Sequence, residues 1–399
     1  MLNKRTLKDI CVKDKKVLVR VDFNVPMSKE NEGEIANDIR IQRAIPTIKY
    51  LIDNKAKVII MSHMGRPKGI PDSKYSLEVV AKRLAEILQQ EVKFLNSEKV
   101  VDEYVKSEVN KLKSGEVALL QNTRFRAEET QNDENFAKEL ASLGEIFVND
   151  AFGTCHREHA SNVGVAKLLP SALGFLVEKE VEYITDVLKN PEKPFVCIMG
   201  GAKISDKIGV VNHMLNKADS IIIGGGMSYT FLKALGKNIG KSIFEEDKMP
   251  LALEILKEAE EKNIKVLLPK DVVIAKEIDK DAETKIVSID NIPDDMEALD
   301  MGPETVKYFT EEILKAKTAI WNGPMGVFEV KPFSTGTYAI AEAMAKTNAT
   351  TIVGGGDSTL AIEMSGNQDK ISYVSTGGGA SLKLLEGKPL TAILSISDK

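Results

Sequence analysis

Residues 350–365 read Thr-Thr-Ile-Val-Gly-Gly-Gly-Asp-Ser-Thr-Leu-Ala-Ile-Glu-Met-Ser. The β-branched run at 350–353 predicts a buried strand. Gly354, Gly355 and Gly356 break it, and Asp357-Ser358-Thr359 supplies capping residues before an apolar-periodic helix. A strand, a glycine turn and a helix N-terminus aim free backbone N–H groups and the positive end of the helix dipole at one spot. Lacking a Cβ, glycine lets the backbone come close to a phosphate. An ordinary tight turn between strand and helix would use the same residues, so the rest of the chain has to decide.

Working outward, the second half of the chain repeats the alternation. Strands are expected at 195–199, 220–223, 265–268, 318–321 and 371–374, with a further β-segment at 285–289. Helices are expected at 207–216, 249–262, 303–315 and 334–346, and the polar stretch 276–302 reads as a surface insertion. Four more strand ends are glycine-rich: Gly200-Gly201-Ala202-Lys203, Gly224-Gly225-Gly226, Trp321-Asn322-Gly323-Pro324 and Ser375-Thr376-Gly377-Gly378-Gly379. Lys203 and Lys207 are four apart and share a helix face if that helix starts early. Five such ends describe a nucleotide cleft lined by backbone.

The first half alternates in the same way, with strands expected at 16–25, 57–63, 92–95, 116–122 and 145–152. Helical patterns lie at 41–54, 76–90, 100–113 and 132–142. This is the pattern of a parallel sheet covered on both faces. Residues 171–190 read as one long amphipathic helix, stopped by Pro191 and Pro194. The predicted fold class is therefore α/β: two doubly wound, Rossmann-like parallel-sheet lobes joined by a long helix, with an interlobe cleft. Boundaries fall at 1–170 for the N-terminal lobe, 171–190 for the connecting helix and hinge, and 191–385 for the C-terminal lobe. Residues 386–399 form a tail expected to return to the N-terminal lobe.

Charge is distributed unevenly between these halves. All nine arginines lie within residues 1–157, whereas 20 of the 28 glycines follow residue 180. Drift in Lys/Arg usage accounts for this, or else two lobes take two ligands, a small anion in front and a nucleotide behind. Asp22 and Asn24 are polar residues at the end of the first predicted strand, and Arg40, Arg66, Arg124 and Arg157, with His63, each follow or flank a predicted strand tip, where ligands of open α/β sheets sit. Their convergence points to a multiply anionic small ligand.

Composition bounds the rest. The 399 residues are 43% apolar and 28% charged, with net charge −5, so nothing argues globally for nucleic acid. No apolar run approaches the 18 residues of a membrane span. Three scattered cysteines favour a reducing compartment, and the N-terminus, Met1-Leu2-Asn3-Lys4-Arg5, leads into charged sequence rather than an apolar leader. Gly236-Lys237-Asn238-Ile239-Gly240-Lys241-Ser242 imitates a P-loop but has three residues between its glycines instead of four. His156 and His159 lack a clear third metal ligand. A nicotinamide dehydrogenase shares the fold class, but no GxGxxG follows the first strand. A nucleotide-binding regulatory or scaffold protein without catalysis is the other class to separate.

Ordered motifs along essentially the whole chain resemble the phosphoglycerate kinase family. They are Val19-Arg20-Val21-Asp22-Phe23-Asn24-Val25-Pro26, Ser62-His63-Met64-Gly65-Arg66-Pro67-Lys68-Gly69, Asn122-Thr123-Arg124-Phe125 and Asp150-Ala151-Phe152-Gly153-Thr154. Gly200-Gly201-Ala202-Lys203, Trp321–Glu329 and Gly354–Ser358 follow. The resemblance implies reversible, direct in-line phosphoryl transfer between ATP and the carboxylate of 3-phosphoglycerate, giving ADP and 1,3-bisphosphoglycerate, in glycolysis. It implies Mg²⁺ with the nucleotide, a cytoplasmic location, a monomer, and neither nucleic acid nor membrane as partner. By the same resemblance, Asp22, Asn24, Arg40, His63, Arg66, Arg124 and Arg157 bind phosphoglycerate. Arg40, Lys203, Gly355 and Gly356 serve catalysis. Lys207, Gly302, Glu329, Gly355, Gly356, Asp357 and Ser358 bind nucleotide, with Asp357 at the metal. Cys155 and Glu158, where small alanines are usual, and Gln121, where Glu is frequent, depart from the family pattern.

Overall fold

The computed structural model describes residues 3–28, 31 and 33–399; Met1 and Leu2, the start of the N-terminal reading, lie outside them. The chain divides into two compact units. One runs up to Glu182 and includes Pro389–Lys399; the other is Tyr183–Lys388.

The first unit carries strands β1 (Lys16–Val21), β2 (Lys57–Met61), β3 (Val92–Leu95), β4 (Val117–Leu120), β5 (Ile146–Asp150) and β6 (Ser171–Leu173). All pair in parallel, in the order β3-β4-β2-β1-β5-β6. The central strands are buried on both faces, which is why Val-Ala-Leu-Leu and Ile-Phe-Val-Asn-Asp carry no alternation. The chain leaves β1 in one direction and returns on its other side at β5, so the switch point lies between these two strands. The predicted first strand overshoots. Its ladder ends at Val21, and from there Phe23 N–H donates to Ser62 Oγ at 2.8 Å, which frees Asp22 and Asn24 to face outward from the sheet.

Residues 171–190 are not one helix. Residues 171–173 form β6 beside β5, and the helix runs Phe175–Lys189. Asp150, at the tip of β5, decides the boundary. Its Oδ1 accepts from Leu176 N–H at 2.8 Å and Val177 N–H at 3.3 Å, capping the helix. Gly174 gives it room, since a Cβ there would stand 2.2 Å from that oxygen. The C-terminal segment also belongs to this unit: Arg5 N–H donates to Ser397 O at 2.9 Å, and Lys4 pairs with Asp398 at 2.9 Å.

The second unit carries β7 (Phe195–Met199), β8 (Ser220–Ile223), β9 (Lys265–Leu267), β10 (Asp271–Ala275), β11 (Lys285–Ser288), β12 (Glu297–Met301), β13 (Thr318–Asn322), β14 (Thr350–Gly354) and β15 (Tyr373–Val374). Six form a parallel sheet in the order β15-β14-β13-β7-β8-β9, with the switch between β7 and β13. The stretch 276–302 is more than a surface insertion. β11 and β12 flank β10 in an antiparallel sheet, and Ala298, Leu299, Asp300 and Met301 are buried. Its polar composition belongs to the connecting loops and to the exposed edge strand β11. Among the described residues, no helix is long and apolar enough to cross a membrane.

Candidate functional site

The tips of β1, β2, β4 and β5 gather the first unit's polar residues. Asp22 Oδ2 accepts from Arg40 at 3.1 Å, and the same guanidinium nitrogen donates to Asn24 O at 3.2 Å. Asn24 Oδ1 accepts Gly65 N–H at 2.8 Å, and Gly65 O accepts from Arg124 at 2.8 Å. Gly65 holds a left-handed φ of +60°, and a Cβ on it would strike the Tyr75 ring. Asn122 locks the turn that carries Arg124: its Oδ1 accepts Arg124 N–H at 3.0 Å, and its amide donates to Met64 O and Tyr75 O.

Arg66, Lys68, Arg124, Arg126, Arg157 and His159 line a cavity of about 410 Å³. Arg124 is buried, and its Nε has no hydrogen-bond partner. Burial, then the nearby Arg20 and Arg157 charges, pushes the Arg124 guanidinium down to about 10. Burial and the same cations push His159 down to about 3 and hold His63 well below the usual histidine range. So many cations around an unsatisfied buried donor call for an anion. Asp22, Arg40 and His63 form a neighbouring cluster, joined to the cavity through Asn24 and Gly65. The unit thus offers a strongly cationic end and a mixed end bearing Asp22, Asn24 and Arg40.

The family departures are accommodated. Glu158 is exposed, and Cys155 is buried with Sγ 3.5 Å from Ala151 O. Gln121 uses both ends of its amide, accepting from Leu77 N–H and donating to Ser76 and Asn96. His156 accepts from Arg157 Nε at 3.2 Å, and no metal-holding cluster occurs among the described residues.

In the second unit Lys207 donates to Asn322 Oδ1 at the end of β13, and burial pushes its ammonium below the usual lysine range. Asn322 pairs with Gly354 across the β13–β14 ladder. Gly355 follows with φ +95°, and a Cβ there would lie 3.1 Å from Asn322 Nδ2. The helix Gly356–Met364 begins at once, and a Cβ on Gly356 would meet nothing within 4 Å. That leaves open space in front of a helix N-terminus, beside a lysine. Asp357, Lys203 and Glu329 are exposed.

Three of the five glycine-rich ends have a different role. Gly201 N–H donates to Pro324 O at 2.8 Å and Gly200 N–H to Asn322 O at 3.0 Å. Cβ atoms on Gly225 and Gly323 would lie 2.6 and 2.2 Å from Pro324 O and Gly200 O. These turns are packed backbone on backbone against one another. Gly356 and Gly378 face open space. Gly302 lies against Asp271, and Ser358 is buried with Oγ accepting Gly323 N–H at 2.6 Å. Lys203 and Lys207 do not share a helix, which begins at Ile208.

Sequence reasoning passed over Lys68, Arg126 and His159 as lining residues and Ser161 and Glu129 beneath them, and it quoted Arg20 in the first-strand motif without giving it a role. Only the clustering of basic residues after strand tips hinted at the first three. For Ser161 and Glu129 no local signal exists.

The phosphoglycerate kinase family model matches residues 7–388. The curated phosphoglycerate kinase of Finegoldia magna is 56% identical over 398 residues, covering 100% of both chains. That of Clostridium perfringens is 54% identical over 398 residues, covering 100% of this chain and 99% of the relative. Among solved structures, phosphoglycerate kinase from Coxiella burnetii matches with a TM-score of 0.87 at 41% identity, covering 98% of each chain. That from Pyrococcus horikoshii matches with a TM-score of 0.84 at 32% identity, again covering 98% of each.

Proposed function

The chain belongs to the phosphoglycerate kinase family, a kinase transferring phosphoryl between ATP and 3-phosphoglycerate in glycolysis, and we propose how its residues divide that work. Arg66, Arg124 and Arg157 take the substrate phosphate, with His63 beside them. Asp22 and Asn24 orient the glycerate hydroxyl region, and Arg40 reaches the group in transfer. Lys207 and the amides of Gly355 and Gly356 hold the nucleotide phosphates, with Ser358 behind that turn. Gly302 and Glu329 serve the nucleotide, Glu329 at the ribose, and Lys203 follows the phosphoryl group. The observation that carries this division is the cationic cavity in which buried Arg124 Nε lacks a partner.

The chemistry asks little of the protein as acid or base. The accepting carboxylate is ionised near pH 7. One of its oxygens bonds to the γ-phosphorus as the bond to the bridging oxygen breaks, and ADP leaves with that electron pair. Catalysis then consists of alignment and stabilisation of charge on the three equatorial oxygens. Arg40, Lys203 and the turn amides supply fixed positive ends.

Mg²⁺ fits Asp357. No cluster of three or more ligating side chains occurs among the described residues. A lone exposed carboxylate beside a phosphate site suits an ion held by one carboxylate and substrate oxygens. Bound there, the metal would neutralise nucleotide phosphate charge. A cytoplasmic monomer completes the proposal; three free cysteines, two of them buried, support only the reducing character of its compartment.

A coupled turnover assay with ATP and 3-phosphoglycerate tests it. Arg40→Ala is expected to lower kcat roughly 10²–10³-fold with nucleotide affinity nearly unchanged. A large loss of nucleotide binding at intact kcat would remove Arg40 from the transfer step.

A further inference from the structure

Beneath the phosphoglycerate patch runs a buried chain of hydrogen bonds whose direction is forced at each link. Arg20, on β1, is fully buried. Its Nε donates to Ser161 Oγ at 2.7 Å, one terminal nitrogen donates to Val21 O, and the other lies 3.1 Å from His63 Nδ1. Ser161 donates its hydroxyl proton to Glu129 Oε1 at 2.6 Å and its N–H to Oε2 at 3.0 Å. Glu129 is fully buried as well.

A guanidinium has donors only and keeps its charge in a protein. The histidine nitrogen facing it must therefore accept, because a proton on Nδ1 would set two donors against each other. The carboxylate facing that nitrogen, Asp22 Oδ1, is 3.9 Å away, beyond hydrogen-bond reach. The other groups around the ring are Arg124, Arg157 and His159, and none of them favours a second proton on it. Ser161 cannot reverse its link, since its one hydroxyl proton is committed to Glu129 while its lone pair receives Arg20.

We infer that Glu129, Ser161 and Arg20 are positioning residues that lock His63 as the neutral tautomer protonated on Nε2, presenting the substrate with a fixed donor. The inference rests on the assignment of His63 to the phosphoglycerate site. It also separates two tasks in that site. The arginines provide charge. His63 provides direction, and its contribution does not vary with protonation across the ordinary pH range.

Imidazole ¹H–¹⁵N correlation spectra of the unmodified protein test the inference directly. The chain has four histidines, and the resonance lost in His63→Gln assigns the signal. Between pH 6 and 8, His63 is expected to show an unprotonated Nδ1 and a protonated Nε2, without titrating. An Nδ1-protonated ring or an imidazolium in that range would overturn the inference. Ser161→Ala is expected to raise the phosphoglycerate KM about tenfold, with kcat and the ATP KM within about twofold, and to let His63 populate both tautomers. A variant with the original KM and a single tautomer would overturn it too. Saturating 3-phosphoglycerate should shift the His63 Nε2 signal. The expected tautomer with no shift at saturation would instead remove His63 from the substrate site.

Discussion

At Gly355 the backbone stands at φ +95°, a conformation strained for any L side chain, with Asn322 Nδ2 3.1 Å from where a Cβ would be. Gly355→Ala is expected to destabilise the protein by about 1–2 kcal/mol. Its neighbour gives a cleaner reading. A Cβ on Gly356 meets no atom within 4 Å, so the protein itself does not require glycine there. Gly356→Ala should leave unfolding unchanged or slightly improved, since alanine favours a helix by up to about 1 kcal/mol. If a phosphate approaches this turn, the same substitution should weaken ADP binding about tenfold. Calorimetric titration with ADP beside urea unfolding checks both, and unaltered ADP affinity would place the phosphates elsewhere. Residue types at strand tips were legible from the chain alone, as the string from Asp22 to Arg157 shows. Their partners were not. Ser358 reads as a phosphate ligand, yet its Oγ receives Gly323 N–H from a turn 35 residues away.

Periodicity placed most elements, but it missed β10 (Asp271–Ala275), and it served less well where two elements share a short stretch. Residues 171–190 hold a three-residue strand and a helix, separated at Gly174 by the demands of Asp150. β12 was hidden because charged loops surround it. That strand brings Asp300 into the interior, where Oδ2 accepts Gly336 N–H at 2.8 Å at the start of the helix Thr335–Lys346, and Oδ1 accepts Met301 N–H at 2.9 Å. Burial outweighs both hydrogen bonds and pushes the Asp300 carboxyl up to about 7. In the unfolded chain it loses its proton near 4. Between these values the folded state binds the extra proton, so this group's contribution to stability falls as pH rises from about 4 to 7 and is level above that. The slope is about 1.4 kcal/mol per pH unit. Asp300→Asn should remove that slope, while losing one hydrogen bond worth about 1 kcal/mol. Trp321, the single tryptophan, lies buried in the same unit and reports urea unfolding at pH 5 and pH 7. Equal pH dependence in variant and parent would show that Asp300 does not titrate in this range.

For the whole molecule, the two units carry different chemistry, a cavity lined by cationic side chains in one and an open helix N-terminus beside Lys207 in the other. Direct transfer requires the two bound substrates to meet. ATP and 3-phosphoglycerate together are therefore expected to compact the protein more than either alone, measured as a drop in radius of gyration by small-angle scattering. A profile unaltered by both together would count against closure. The sequence by itself determined the α/β class, the two-unit layout, the family and the arginine-bearing strand tips, because periodicity, turn residues and motif order are local properties of the chain. Tertiary structure alone decided which glycines face open space and which pack on each other. It also decided that Arg20 meets His63 across 43 residues and Ser161 across 141. Hydrogen-bond direction depends on which atoms stand within about 3 Å, and strand register and packing set that distance where residue spacing does not encode it.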